Sequence, residues 1–288
     1  MKNVVVSPNA HKDPEYFVTR RVISVLAKYG ISACVSADLK DLIGGENIYY
    51  YSNAFPKEAE AIVVVGGDGS VLDSAVDALA ADIPLLGVNM GRLGYLTELD
   101  SHEIEDLSLL ANDDFEIREC MVFDVTLVKD GEEISLVRRA VNDVVVSQGN
   151  SEGMSEIELT DGVGNRMKYI ADGMIVATPL GSTAYSLAAG GPIVDSSLNA
   201  VCVTPICPHS LFNRSLLFPP EYTITVKNVS RREGSLRMYL DGLQNYELYP
   251  GDAVKVTAAS ARLKLISLKH RSVMGVLCSK MQLLNQYN

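Results

Sequence analysis

A run of strand-forming residues, three glycines around one carboxylate, and a helix that begins at once constrain this chain more than anything else in it. The stretch is Ala61-Ile62-Val63-Val64-Val65-Gly66-Gly67-Asp68-Gly69-Ser70-Val71-Leu72. Glycine takes backbone angles closed to other residues, so the main chain at Gly66, Gly67 and Gly69 is expected to pass close to a ligand. The first N–H groups of the helix, expected from near Ser70, carry positive dipole character that suits phosphate. Asp68 does not suit a plain phosphate cradle, because a fixed negative charge repels the ligand. It points to chemistry or a metal as well as binding; the plainer alternative is a tight strand–helix turn with a solvated carboxylate.

The surrounding first third alternates strand and helix. Residues 3–7 read as a strand. Asp13 is placed to cap a helix with Pro14 at its first position, and Val18, Val22, Val25 and Tyr29 follow at helical spacing up to Gly30. Further strands are expected at 31–36, 61–65 and 84–88, with a helix over 70–80. Such alternation implies a parallel sheet with ligands at the carboxyl ends of its strands, where both Asp68 and the segment from Asn89 to Tyr95 fall. The texture changes near residue 100. From Phe115 onward the pattern is strands broken by turn signals such as Asp130-Gly131, Asp172-Gly173 and Asp241-Gly242. Residues 116–128 and 134–147 bracket the first of these like a hairpin, and one helix is expected from Ser182 to about Ala189. The expected fold class is an α/β N-terminal domain, Rossmann-like, three-layered and built on a parallel sheet, over residues 1–100. A β-rich C-terminal domain follows over 101–269, with the acidic stretch 100–114 as the boundary.

Composition excludes several partners. With 288 residues and 47% hydrophobic content, the chain can bury a real core. A formal charge of −11 argues against nucleic acid and against an anionic membrane. It also means that a polyphosphate must be met by local donors or by a divalent cation, so Mg²⁺ is expected with any bound nucleotide. Five scattered cysteines, none in a CxxC pair, and no apolar run near the roughly 18 to 20 residues of a membrane span lead to the expectation of a soluble cytoplasmic protein with reduced thiols. No P-loop, GxGxxG fingerprint or GxSxG elbow occurs.

Four further groups draw notice. In Asp172 to Pro192 a strand ends near Pro179 and Ser182 can cap the next helix. Thr183, Ala184, Tyr185 and Ala188 would line its first turns, with Tyr185 offering a ring face and a hydroxyl. A well-capped helix packed on a sheet accounts for the same pattern. Asn142-Asp143 can read a purine edge or ribose hydroxyls, or simply start a strand. His209 and Arg214 lie in a segment with prolines and polar groups and are equally open to structural roles. Asp241 alone reads as a turn residue.

Together these segments resemble the NAD kinases. The resemblance rests on Gly66-Gly67-Asp68-Gly69, the segment from Asn89 through Leu93-Gly94-Tyr95-Leu96, Asn142-Asp143, the Asp172–Pro192 run with Thr178-Pro179-Leu180-Gly181-Ser182-Thr183-Ala184-Tyr185, and Asp241-Gly242. It implies phosphoryl transfer from ATP, carried with Mg²⁺ or another divalent cation, to the 2′-hydroxyl of the adenosine ribose of NAD. Inorganic polyphosphate is the alternative donor. By motif position Asp68 would be the base, in a loop of Gly66, Gly67 and Gly69, and Tyr95 would contact adenine. Asn142 and Asp143 would hold NAD through adenine and ribose, Asp172 would touch the nicotinamide side, and Thr183, Ala184, Tyr185 and Ala188 would line the neighbouring pocket. Asp241 is counted with the nucleotide-binding set. The resemblance further implies a final segment, about 270–288, returning to the first domain, and a homodimer or homotetramer. One departure is plain: the family usually carries Asn-Glu where this chain has Asn142-Asp143. A lipid kinase sharing the GGDG loop and a catalytically silent nucleotide-binding regulator are the competing expectations.

Overall fold

The computed structural model describes residues 1–52, 55–91, 94–149, 154–209, 212–231, 235–269 and 274–278. In chain order the first elements are β1 (Asn3–Pro8), α1 (Phe17–Lys28), β2 (Ser32–Ser36), β3 (Ile48–Tyr51), β4 (Ala61–Gly66), α2 (Asp68–Ala81), β5 (Leu85–Asn89), β6 (Leu99–Asp100) and α3 (Ser108–Ala111). Then come β7 (Glu116–Lys129), β8 (Glu132–Ser135), β9 (Asp143–Gln148), β10 (Ser155–Thr160), β11 (Arg166–Ala171), β12 (Gly173–Ala177) and α4 (Tyr185–Ala188). The last are β13 (Val201–Ile206), β14 (Leu216–Phe218), β15 (Ile224–Asn228), β16 (Leu236–Leu240), β17 (Gln244–Leu248) and β18 (Ala253–Ser267). They form two compact units. One is Met1–Glu119 with the chain from Leu263 onward, the other Cys120–Arg262.

The first unit is a three-layer α/β structure. Its parallel strands run β5-β4-β1-β2-β3, with Leu265 of β18 pairing to Leu85 and β6 pairing to β5. Strand alternation sends Val4, Val6, Val63, Val65, Leu86 and Val88 to one face, where Val22 and Leu26 of α1 cover them. The other face meets α2. There Val71 lies so close to Gly87 that a side chain at that glycine would collide with it, and Ser74 of α2 reaches Ser7 of β1 at 3.2 Å. β4 is buried along its whole length because both faces are covered. The strand order reverses between β1 and β4. Their carboxyl ends, at Asn9 and at Gly66 to Asp68, therefore flank the crevice where open α/β sheets take ligands.

Two expectations for this unit need correction. The acidic stretch 100–114 is no free linker: Ile104, Leu107 and Leu110 are fully buried in the first unit's core, and the division between units falls later, inside β7. The first helix starts at Phe17 rather than at Pro14. Tyr16 sits in the left-handed region (φ 53°), which interrupts any earlier turn. Asp13 still serves the helix end. Its buried carboxylate accepts the N–H of Val18 at 3.3 Å and, through Oδ2, the N–H of Thr19 at 2.8 Å and the Thr19 hydroxyl at 2.7 Å. The expected return of 270–288 lies mostly outside the described residues.

The second unit is a sandwich of two antiparallel sheets. One runs β14-β13-β12-β9-β16-β17; in the other β11-β10-β15 lead to β18, which also pairs β7. Val144, Val146, Met174, Val176 and Met238 of the first meet Ile157, Leu159, Val226 and Val254 of the second. Asp130 (φ 51°) and Gly131 (φ 84°) turn β7 into β8 with both central residues left-handed, as a tight hairpin demands. The expected second arm does not continue to residue 147. Its regular strand ends at Ser135, pairing with β7 persists as far as the Phe123–Ala140 bridge, and β9 then leaves to join the other sheet between β12 and β16. Among the described residues no helix is long and apolar enough to cross a membrane. The five cysteines are free thiols, with Cys34, Cys120 and Cys202 buried.

Because the Asp13 carboxylate is a buried, charged acceptor for the start of α1, Asp13→Ala is expected to cost about 2 kcal/mol. Guanidinium unfolding measures it; an unchanged midpoint would show that α1 does not depend on this contact.

Candidate active site

In the first unit, Asp68 is the first residue of α2, two positions earlier than the helix start expected near Ser70, with Gly67 as an extended N-cap (φ −140°). Its carboxylate does not dangle in solvent. Oδ2 accepts the N–H of Tyr95 at 2.8 Å and Oδ1 that of Leu96 at 3.0 Å. Gly94 packs so tightly here that a Cβ would overlap the Asp68 carboxylate and the buried Thr97 hydroxyl. The segment after β5 is thereby tied to the GGDG turn, and the Met90 N–H adds a 2.7 Å bond to the Gly66 carbonyl. Burial, with the Asp68 charge next in weight, raises the Tyr95 phenol above its ordinary pKa. Arg92 and Leu93, in the same segment, lie outside the described residues.

The glycines act differently from expectation. None of Gly66, Gly67 and Gly69 has a positive φ. They provide space instead: a Cβ on Gly66 would strike Ser70, one on Gly67 would strike the Lys12 ammonium, and Gly69 faces open room. The β1–α1 turn supplies the remaining groups. Asn9 donates from Nδ2 to Ser70 Oγ at 2.7 Å, and its Oδ1 accepts the N–H groups of His11 at 3.0 Å and Lys12 at 3.2 Å. Neither Asn9 nor Lys12 was singled out from sequence; their one signal is position, directly after the carboxyl end of β1.

In the second unit, Asn142 and Asp143 stand at the start of β9, opposite Ala177 at the end of β12. Thr178 Oγ1 donates to the Val141 carbonyl at 2.7 Å, and the Thr178 N–H donates to that of Asn142 at 2.9 Å. Gly181 approaches so near that a Cβ would overlap the Asn142 carbonyl. Here the expected capped helix is replaced by a 3₁₀ turn (Leu180–Thr183), a break at Ala184, and the four-residue α4. The reason is local competition for hydrogen bonds. Thr178 Oγ1 takes the Gly181 N–H at 3.0 Å, while buried Ser182 donates to Pro179 O at 2.6 Å and accepts from Val194 N at 3.0 Å. Ser182 is a staple, not a cap. Tyr185 is 47% exposed and Ala188 exposed, while Thr183 and Ala184 are half-buried. Beneath them Ser186 bonds to Thr204 at 3.1 Å, and Thr204 to Ser215 at 2.9 Å.

Asp172 sits at the opposite end of β12, with that five-residue strand and roughly 20 Å of extended chain between it and Thr178. Its Oδ1 accepts from Gln148 Nε2 at 3.2 Å. His209 and Arg214 are exposed, and the His209 backbone N–H bonds the Ile170 carbonyl at 2.7 Å. The structure thus brings Asn142, Asp143, Asp241 and the 178–188 segment to one edge of the sheet and leaves Asp172 at the other.

Asp241 is more than a turn residue. It lies in the left-handed region (φ 50°) after β16, and its carboxylate faces backbone. Oδ1 accepts the N–H groups of Val141 at 3.1 Å, Asn142 at 2.7 Å and Asp143 at 3.2 Å, and Oδ2 accepts Val141 at 3.0 Å. Asp143 beside it is only 4% exposed. Burial, followed by the Asp241 charge, pushes its carboxyl up to about 7. Burial raises Asp241 too, against the opposing pull of those N–H groups and then Arg138, so both carboxyls lie above the ordinary range and Asp143 is the one carried to about 7.

The pH dependence follows with a definite sign. Between about pH 4 and 7 the folded chain keeps a proton on Asp143 that the unfolded chain releases, so this carboxyl's contribution to stability falls as pH rises. Asp143→Asn is therefore expected to raise the melting temperature at pH 8 and to change it little at pH 5. An equal shift at both pH values would contradict the proton assignment.

Comparison with known proteins agrees with this division. The ATP-NAD kinase N-terminal domain matches residues 4–115, and the ATP-NAD kinase C-terminal domain matches 141–268. The NAD kinase of Natranaerobius thermophilus is 35% identical over 98% of this chain and 98% of its own length. That of Geobacter sulfurreducens is 37% identical over 98% and 99%. Among solved structures, yeast NADH kinase complexed with NADH has a TM-score of 0.82 at 24% identity, covering 100% of this chain and 88% of that one. An NAD kinase from Archaeoglobus fulgidus in complex with ATP has a TM-score of 0.72 at 21% identity, covering 97% and 99%. With both halves of the chain matched in order and relatives aligned end to end, this protein belongs to the NAD kinase family.

Proposed function

We propose that this chain transfers the γ-phosphoryl group of ATP to the 2′-hydroxyl of the adenosine ribose of NAD, giving NADP, with Asp68 as general base. The observation that carries the reading is the Asp68 carboxylate, held by two backbone N–H groups at the carboxyl edge of a parallel sheet, next to the open space at Gly69. Each carboxylate oxygen has two lone pairs, so an oxygen that takes one N–H keeps room for a hydroxyl proton. A ribose hydroxyl is a poor nucleophile until that proton leaves as the new P–O bond forms. A positioned carboxylate contributes about 10²- to 10⁴-fold to such a step. The proton passes to Asp68, the bond to the β-phosphate oxygen breaks, and ADP departs with its electron pair.

The donor's phosphates suit the amino end of α2, where helix N–H groups favour anions and the exposed Lys12 adds a positive charge beside Gly67. A divalent cation fits as a passenger on the nucleotide rather than in a protein cage. Among the described residues the one cluster with ligand spacing is Asp100, His102 and Glu103. There Asp100 is bonded by Asn89 at 2.9 Å, and Glu103 is paired with Lys269 at 2.6 Å. Asp68 would face the cation that ATP carries, which neutralises charge on the transferring group when bound.

On the acceptor side, Asn142 and Asp143 hold the adenosine half of NAD, Tyr95 meets adenine, and Thr183, Ala184, Tyr185 and Ala188 line the adjoining surface. Asp172, at the far end of β12, takes the nicotinamide side. These assignments rest on family motif positions, and the clustering of Asn142, Asp143 and the 178–188 segment supports them. The family motif also supports a homodimer or homotetramer, and the free thiols a cytoplasmic setting.

Formation of NADP from NAD and Mg-ATP, read with an NADP-specific dehydrogenase, tests the reading. Asp68→Asn is expected to keep the fold and most NAD binding and to lose at least about 10²-fold in kcat. Turnover near that of the wild type would remove Asp68 as base. Transfer to diacylglycerol in vesicles with none to NAD would replace the reaction altogether.

A further inference from the structure

We propose that Asp241 is a positioning residue for the nucleotide. By anchoring the N–H groups of Val141, Asn142 and Asp143, and by facing Asp143 with its carboxylate, it shapes the Asn142–Asp143 pair and so sets how tightly that pair holds NAD. The proposal rests on the reading that this pair holds the adenosine ribose. Its basis is geometric. One carboxylate gathers contacts of 2.7 to 3.2 Å from three successive backbone N–H groups, 98 to 100 residues away in sequence. The Asp241 N–H also returns a 3.0 Å bond to the Asp143 carbonyl. The two turns are thus locked in both directions.

With its charge committed to backbone, Asp241 has no need to touch the ligand; it acts through its neighbour. Three successive N–H groups aimed at one point form an anion-binding concavity, and here the anion is built in. The strand start cannot rotate without leaving those N–H groups unpaired in a buried place. The consequence for Asp143 is electrostatic. It is buried, and β12 and the 178–183 segment packed against it contain no ionisable side chain. Among the described groups, the charges that bear on the pair are Asp143 and Asp241 themselves and Arg138, which acts on Asp241. Asp143 must be ionised to accept hydrogen bonds from both hydroxyls of a ribose through its two oxygens. Protonation turns one oxygen into a donor and weakens that grip. The raised Asp143 carboxyl places this change near neutrality, so affinity for NAD rises with pH through about 7.

Calorimetric titration of NAD into the full chain at pH 6, 7 and 8, alongside steady-state kinetics, tests the proposal for Asp241→Asn. The amide keeps one acceptor and sets a donor against the N–H groups, so Kd and KM for NAD are expected to rise about tenfold, the loss of one charge-assisted contact. With the negative charge gone, both constants are also expected to vary less between pH 6 and 8 than in the wild type. KM for ATP and kcat at saturating NAD should stay within about threefold, a split that general loosening of the fold would not give. An unchanged KM for NAD with the wild-type pH profile overturns the proposal, and so does a fall in kcat alone. Should Asp241→Asn not fold, Asp143→Asn carries the test: its NAD affinity should be flat over the same range, and a slope as steep as the wild type's overturns the proposal. NAD binding with the predicted Asp241 dependence but no phosphoryl transfer would uphold the positioning role while the catalytic reading fails. Absence of NAD binding by the wild type would overturn both.

Discussion

A carboxylate whose two oxygens are both engaged by backbone N–H groups cannot swing aside, and this is the condition on which the role proposed for Asp68 depends. Asp68 meets it through Tyr95 and Leu96. The contact links the end of β4, the first turn of α2 and the segment after β5, so three pieces of chain converge on one functional group. The small residue against it follows from the same need. Gly94 has no side chain because the Asp68 carboxylate, held by two backbone N–H groups, fills that volume.

The second unit repeats the device with another carboxylate. Asp241 fixes the start of β9 as Asp68 fixes the segment after β5, again by offering oxygens to backbone donors across a long sequence separation. The difference lies in the neighbour. Next to Asp68 in the chain, Gly67 faces the Lys12 ammonium, whereas Asp241 has Asp143, a second carboxyl in a buried place. Two adjacent acids cannot both ionise cheaply. Burial first, and that neighbouring charge second, push the Asp143 carboxyl up to about 7.

Much of this was legible in the residues. The β4–α2 junction could be read because a run of apolar β-formers ends in glycines, and the parallel sheet because strand and helix alternate with short connections. Other features were not. The late start of α1 depends on the left-handed Tyr16, which no propensity signals. The broken helix at 180–188 depends on where the hydroxyls of Thr178 and Ser182 find partners, and a Ser-Thr-rich segment fits a capped helix equally well. The departure of β9 from the hairpin leaves no mark, since Val144-Val145-Val146 suits either sheet. The role of Asp241 is tertiary: Asp-Gly after a strand is an ordinary turn until the backbone it meets, some hundred residues earlier, is known. Asn9 and Lys12 were passed over because they belong to no glycine-rich motif, although their place after β1 puts them on the ligand edge of such a sheet.

The most direct measurement is the position of the new phosphate. Phosphorus NMR of the product formed from NAD and Mg-ATP, with ADP counted in the same mixture, identifies the hydroxyl that was attacked. The account predicts a single monoester at the 2′-position of the adenosine ribose, formed one-for-one with ADP. A phosphate at another hydroxyl, or ADP released with NAD left intact, would contradict it.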